Sequence, residues 1–134
     1  MSNQHGANQY KQMSIKTANR GQILIMLYEA AIRHVKKAAI AIEQKDIGAK
    51  GVAIGKAHDI INELNATLNF EIGGDIALNL ERLYNFMAEQ LVKANIENSK
   101  ASLEIVQKNL ETLLEGWRIA VTQVNLAPNQ NQNK

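Results

Sequence analysis

The sequence predicts an all-α protein, an antiparallel up-down four-helix bundle with a flexible N-terminal arm. Three observations predict this class. Apolar residues recur at three- and four-residue spacing in four segments, the connections between these segments are short, and the only proline, Pro128, lies near the C-terminus. A chain of 134 residues is long enough for one domain with one hydrophobic core.

Composition divides the chain into three regions. We expect residues 1–18 to form a mobile N-terminal arm, residues 19–124 the helical bundle, and residues 125–134 a disordered tail rich in Asn and Gln. Within the arm, residues 10–18 carry apolar side chains without helical continuity, namely Tyr10, Met13 and Ile15. This pattern predicts an extended segment that lies against the bundle and competes with a partner for its surface.

The first two helices are predicted over residues 20–44 and 48–70. Asn19 is a suitable N-cap for the first helix. The first apolar stripe consists of Leu24, Leu27, Ala31, Val35, Ala38 and Ile42, and the second of Ile54, Ala57, Ile61, Leu64 and Leu68.

The third and fourth helices are predicted over residues 75–97 and 99–124. Gly73 and Gly74 indicate a helix stop, and Asp75 then supplies an acceptor and a negative charge for the next start. The third stripe begins at Ile76 and continues through residues 80, 83, 84, 87, 91 and 94. The fourth comprises Leu103, Val106, Leu110, Leu113, Trp117, Ala120 and Val124.

Composition also argues against several classes of function. Lys and Arg total 15 against 13 Asp and Glu, with no long block of one sign, so we expect no nucleic-acid partner. The chain shows no secretory signal pattern and no apolar run of membrane-spanning length. We therefore expect a cytoplasmic location, no membrane insertion and no small-molecule substrate.

The residues that could carry catalysis are few. Cysteine is absent, and His5, His34 and His58 are scattered without a second histidine at i+4. Glu71 and Asp75 flank the paired glycines and are better explained as residues of a helix corner. We expect no enzymatic activity, no metal site and no cofactor.

One alternative function remains open from the residues. Histidine phosphotransfer domains are also four-helix bundles, and their His-x-x-Lys-Gly pattern is approached here by His34, Lys37 and Ala38. A lysine one turn from the histidine could steady a phosphoryl group. Ala38 stands where that pattern has glycine, which argues against docking of a phosphotransfer partner.

Two of the predicted helices carry apolar residues outside their core stripes. In the first helix, Ile25 and Ile32 fall on the flank of the stripe and Met26 near its back; in the third, Leu78, Val92 and Ile96 fall opposite the seam. A surface helix needs only one apolar stripe. The additional residues predict grooves that a partner helix covers.

Several ordered motifs, spread over about residues 10 to 120, together resemble one known family. They are Tyr10; Thr17-Ala18-Asn19; Leu24-Ile25-Met26-Leu27-Tyr28-Glu29-Ala30-Ala31-Ile32; Lys56-Ala57-His58-Asp59-Ile60-Ile61-Asn62-Glu63-Leu64; Gly73-Gly74-Asp75-Ile76-Ala77-Leu78-Asn79-Leu80-Glu81-Arg82-Leu83-Tyr84; Leu91-Val92-Lys93-Ala94-Asn95; and Gly116-Trp117. In this order and spacing the chain resembles the flagellin chaperones, the FliS family of flagellar secretion chaperones. It departs from the family pattern at Gly21, Glu29 and Ala30.

The resemblance implies a dedicated chaperone. Such a protein binds the disordered C-terminal region of flagellin in apolar grooves, prevents premature polymerisation, and delivers the subunit to the flagellar type III export gate. On this interpretation the partner-binding residues are expected to be Tyr10, Ile15, Ile25, Met26, Ile32, Leu78, Val92 and Ile96.

Overall fold

The computed structural model describes the backbone of residues 20–126 and the side chains of residues 20–123. Four helices occupy this range: α1 (Arg20–Glu43), α2 (Ile47–Ala66), α3 (Phe70–Glu97) and α4 (Lys100–Leu126). The predicted all-α four-helix bundle is confirmed. The predicted arm, the Asn19 cap and residues 127–134 of the predicted tail lie outside the described residues, whereas residues 125 and 126 belong to α4.

The helices form a ring in chain order. Each packs against two neighbours, so that α1 contacts α2 and α4, while α3 lies diagonally across the core from α1. Ion pairs give the direction of α4 relative to α1: Lys100 at the start of α4 pairs with Glu43 at the end of α1, and Arg118 pairs with Glu29 further back. Adjacent helices therefore run antiparallel.

The core lies between all four helices and consists of aliphatic residues with two tyrosines and one methionine. Its largest fully buried members are Tyr28, Tyr84, Ile61, Leu64, Met87, Leu91, Leu103, Leu110, Val35 and Val106. The predicted stripe of α2 is confirmed, since its first four members are buried and Leu68 packs against the core.

Three of the predicted stripes need correction in detail. In α1 the buried face passes through Ile25, Tyr28 and Ile32, because the large phenol of Tyr28 turns that side of the helix inward. In α3 the stripe begins at Ala77, and Ile76 is 69% exposed. In α4 the last core turns use Leu114 and Val121, leaving Ala120 exposed.

The turn between α1 and α2 contains both a stop and a start signal. Lys45 adopts a left-handed backbone conformation with φ of 58°, which ends α1. Asp46 then caps α2, and its Oδ1 atom accepts a hydrogen bond of 3.0 Å from the Ala49 N–H. This carboxylate also lies at the positive end of the helix dipole.

The turn between α3 and α4 is fastened to the start of α2. Asn98 ends α3 in the left-handed conformation, and the Ser99 hydroxyl accepts from the Ser102 N–H at 3.1 Å. The buried Lys50 of α2 donates from Nζ to the Asn95 carbonyl oxygen at 2.9 Å and to Asn98 Oδ1 at 2.7 Å. The ammonium thus satisfies a carbonyl at the negative end of α3.

The start of α3 differs from the prediction. The second helix ends at Ala66, and α3 begins at Phe70, with the Asn69 side chain accepting from the Ile72 N–H at 3.0 Å. Gly74 has φ of 51° and ψ of −123°, which is a non-helical conformation, so two helical stretches meet in a kink at this residue. The predicted helix break at the paired glycines is therefore confirmed, and the longer stretch resumes at Asp75. The turn from Phe70 to Gly73, capped by Asn69, was not predicted.

A buried hydrogen bond joins α1 and α3 across the bundle. The hydroxyl groups of Tyr28 and Tyr84 bond to each other, and both side chains are buried. Burial raises the pKa of both phenols, and in Tyr28 the hydroxyl of Tyr84 and the indole of Trp117 partly offset that rise. The pair satisfies two polar groups that would each be costly to bury alone.

We expect the tyrosine pair to show strong coupling. Either Tyr28→Phe or Tyr84→Phe alone should lower the free energy of unfolding by about 1–3 kcal/mol, since a buried hydroxyl then loses its partner. The double Phe variant should lose less than the sum of the two single losses. Urea unfolding of the four proteins in a double-mutant cycle measures this coupling, and additive losses would contradict it.

The same pair makes the free energy of unfolding depend on pH in the alkaline range. Unfolded tyrosines ionise near pH 10, whereas the raised pKa values keep both phenols neutral in the fold. The unfolded state therefore binds fewer protons above that pH, and stability falls as pH rises. The double Phe variant should lose less stability between pH 9 and pH 11 than the wild type.

Two glycines offer a matched test of the α3 kink. Gly74→Ala should destabilise the protein by about 1–3 kcal/mol, because alanine rarely adopts a positive φ. Gly55→Ala, in the interior of α2 with open space around the added methyl group, should instead stabilise it by roughly 0.5–1 kcal/mol. Thermal unfolding of both variants checks the contrast; stabilisation by Gly74→Ala would contradict the kink.

Candidate partner-binding surfaces

Three of the predicted binding residues lie on the outer side of α3. Leu78, Val92 and Ile96 are all exposed, Ile96 to 76%. They occupy one side of the helix because their spacings of 14 and 4 residues approximate whole turns. The core side of the same helix is already filled by its own stripe, and none of these three side chains belongs to the core. Their role in binding stays a prediction.

Ile25 and Ile32 are placed differently from the prediction. Both are buried, at 9% and 7% exposure, so the expectation that they lie on an open flank of α1 is corrected. They stand three residues before and four residues after Tyr28, on the face that this residue turns inward. Ile32 lines a groove of about 490 Å³ between α1 and α4, and Ile25 lines an adjoining cavity of about 370 Å³.

The groove between α1 and α4 is mainly polar at its rim. Arg118 Nη2 lies 2.8 Å from Glu29 Oε2, and both residues line the groove and the adjoining cavity. The other charged lining residues of the groove are Arg33, Lys36, Glu111 and Glu115. A partner that reached Ile25 or Ile32 would have to displace or pass the ion pair.

Three more residues were predicted to bind the partner, namely Met26, Tyr10 and Ile15. Met26 is 62% exposed, on the side of α1 away from Tyr28. Tyr10 and Ile15 lie outside the described residues. The structure therefore places Leu78, Val92 and Ile96 on one side of α3, with Leu78 about 21 Å along the helix from Val92, and it places Met26 on a different helix.

The kinked start of α3 exposes apolar residues that the sequence reasoning missed. Phe70 is partly exposed, Ile72 is 86% exposed, and Ile76 follows them beyond Gly74. The paired glycines were the sequence signal for this exposure. Glycine can adopt a positive φ, and a positive φ inside a helix changes the direction of the turn before it. That turn consequently points large side chains away from the core.

A second surface missed by sequence reasoning is an open groove between the end of α1 and the start of α2, with a volume of about 460 Å³. Its apolar walls are Ile40 and Val52, both more than half exposed. The other lining residues are His34, Lys37, Ala41, Gln44, Gly48, Ala49, Ala53 and Lys56. The concentration of Gly and Ala at the start of α2 was the sequence signal for close helix approach.

His34 stands at one end of this groove and is partly exposed. Burial lowers its pKa, and the positive charges of Lys37, Lys56 and Arg33 lower it further. These cations come from both helices that border the groove. Burial and the locally positive field thus both disfavour the charged form of the imidazole.

Between residues 20 and 126, no three His, Asp or Glu side chains are grouped so that they could hold a metal ion. None of the four helices described is both long enough and apolar enough to cross a bilayer.

The chain is similar in sequence to known flagellar proteins. The chain matches the family described as Flagellar protein FliS over residues 1–124. It is 37% identical over 118 residues to the flagellar secretion chaperone FliS of Salmonella typhimurium, which covers 84% of this chain and 87% of that protein. It is 35% identical over 112 residues to the flagellar secretion chaperone FliS of Bacillus subtilis, with 84% and 83% covered.

A solved structure shares the architecture. It is described as the crystal structure of a flagellar chaperone from bacteria, and it superposes with a TM-score of 0.74. The match covers 90% of this chain and 98% of that one at 22% sequence identity. At this identity the likeness shows the fold, in agreement with the four-helix ring described above.

Proposed function

The chain belongs to the FliS family of flagellar secretion chaperones, and we propose that it binds the C-terminal region of flagellin before export. The observation that carries this proposal is the number of large apolar side chains exposed on the outer sides of the helices. They include Met26, Ile40, Val52, Leu78, Val92 and Ile96. An amphipathic helix laid on such residues would remove apolar surface from water on both sides.

The physical properties of the partner fit this surface. A polymerising segment that is disordered as a monomer folds only when its apolar face is covered. Binding to a preformed bundle supplies that cover, at an ordering cost of roughly 2–5 kcal/mol. While covered, the same face is unavailable to other subunits. Premature polymerisation is thereby prevented.

Delivery to the export gate is the second part of the proposal. We infer that the arm, with Tyr10 and Ile15, competes with flagellin for the apolar surface and is released when flagellin binds. A tethered segment acts at an effective concentration on the order of millimolar, so weak contacts are sufficient. The released arm would then offer Tyr10 to the gate. Both residues lie outside the described part of the chain, and this step rests on the resemblance.

The remaining expectations belong to the same proposal. The protein would act in the cytoplasm, where flagellin is made, without enzymatic activity, a cofactor or a small-molecule substrate. A binding function requires none of these. Handover of the cargo at the gate can supply the driving force for release.

Phosphotransfer through His34 remains the alternative prediction. This alternative requires the partly exposed imidazole to accept a phosphoryl group, with Lys37 one turn away. Membership of a chaperone family favours the binding function. The proposed function predicts that no phosphohistidine forms on incubation with a phosphodonor kinase, whereas a stable phosphohistidine at His34 would support the alternative.

The proposed function predicts one-to-one binding of a C-terminal flagellin peptide. Because folding of the peptide buries roughly 1,000–3,000 Å² of surface, the heat-capacity change on binding should be large and negative. Titration calorimetry at several temperatures measures both the stoichiometry and this change.

The folded central part of flagellin serves as the control ligand. It should show no binding under the same conditions. Binding to this part alone, with none to the C-terminal peptide, would overturn the proposed function.

A further inference from the structure

We propose that the groove between α1 and α2 seats an acidic amphipathic helix of the exported subunit. An acidic side chain of that helix would pair with Lys37 and Lys56, which form the cationic end of the groove beside His34. This inference rests on the proposed function and adds to it the binding groove and the charge of the segment. It concerns a surface separated by α2 from the outer row of α3.

The shape of the groove suits a helix. Its apolar walls, Ile40 on α1 and Val52 on α2, are exposed, and the adjacent lining positions are Ala41, Gly48, Ala49 and Ala53. Small side chains allow another helix to approach closely. The volume of about 460 Å³ lies within the range of roughly 300–1,000 Å³ that is usual for ligand sites.

The length of the groove fixes the size of the occupant. Its lining on α1 extends from His34 to Gln44, which at 1.5 Å per residue is about 15 Å. A partner helix of about ten residues, or three turns, spans this distance. Such a segment presents apolar side chains at i, i+3 or i+4, and i+7 to the two walls.

Charge identifies the kind of helix. His34, Lys37 and Lys56 line the groove, and none of its ten lining residues is Asp or Glu. The groove between α1 and α4 offers an internal contrast, since three acidic and three basic residues line it. A partner carboxylate at the cationic end would be attracted by Lys37 and Lys56, whereas a lysine there would be repelled.

His34 provides a direct reporter of occupancy. In the free protein, Arg33 and Lys37 from α1 and Lys56 from α2 act on this imidazole, and all three are cations. A carboxylate seated at the same end favours the imidazolium form. Binding of the acidic helix should therefore raise the pKa of His34, which an NMR titration of its ring protons resolves.

The experiment compares two double variants with the same net charge. The test protein carries Lys37→Glu and Lys56→Glu at the cationic end of the groove. The matched control carries Arg20→Glu and Lys108→Glu, at positions that line none of the grooves described above. All four positions are exposed, and circular dichroism with thermal unfolding establishes that each variant is folded. Affinity for the C-terminal flagellin segment is then measured by titration calorimetry.

The expected result is a loss of affinity of at least about tenfold in the test protein and less than about threefold in the control. A rise of the His34 pKa on binding to wild-type protein should accompany it. Equal affinities of the two variants, or an unchanged His34 pKa in the saturated complex, would overturn the inference.

The outcomes separate this inference from the proposed function. If wild-type protein binds the flagellin segment but both variants bind it equally, the groove assignment fails and the chaperone function stands. If wild-type protein does not bind the segment at all, the proposed function fails. If sedimentation shows that the test variant only abolishes self-association, a second copy occupies the groove and the inference is overturned.

Discussion

The hydrogen bond between the hydroxyl groups of Tyr28 and Tyr84 is the constraint on which the arrangement of the surfaces depends. It joins two helices that are not neighbours in the ring, and it requires each phenol to point into the core. Once Tyr28 points inward, Ile25 and Ile32 are carried into the core with it. Met26 and Ile40 are left outside. One buried polar contact thus decides which apolar residues of α1 stabilise the bundle and which remain free for a partner.

The bundle is complete without the partner. Its core stripes are filled from all four helices, and the turn between α3 and α4 is fastened through the buried Lys50. The apolar residues outside this core are therefore surplus to folding and would favour aggregation unless something covers them. A chaperone needs such a surface, since it must hold an apolar segment and still remain folded after releasing it. Under the groove proposal, the cationic end of the α1–α2 groove would add selectivity to an otherwise non-directional attraction.

The sequence was sufficient for the fold class and for most helix bounds, because helical periodicity and short connections restrict a chain of this length to few architectures. It was insufficient where a single residue changes which side of a helix is buried or where a helix begins. Tyr28 lies on the core face of α1 outside the predicted stripe, and the Asn69 cap adds a turn before the break that the paired glycines had correctly indicated. The exposure of Leu78, Val92 and Ile96 followed from the period alone. The α1–α2 groove did not, because a groove arises from the relative placement of two helices. Its cations come from positions that are far apart in the chain.

In the proposed function, the partner covers apolar side chains on the outside of a bundle that is already formed. Methyl NMR with a soluble paramagnetic agent tests it most directly, using the free protein and its complex with the C-terminal flagellin segment. The methyl groups of Val52, Val92 and Ile96 should be accessible to the agent in the free protein and protected in the complex. Those of the buried Leu103 and Val106 should be protected in both states. Outer methyl groups that stay accessible in the saturated complex, or core methyl groups that become accessible, would contradict it.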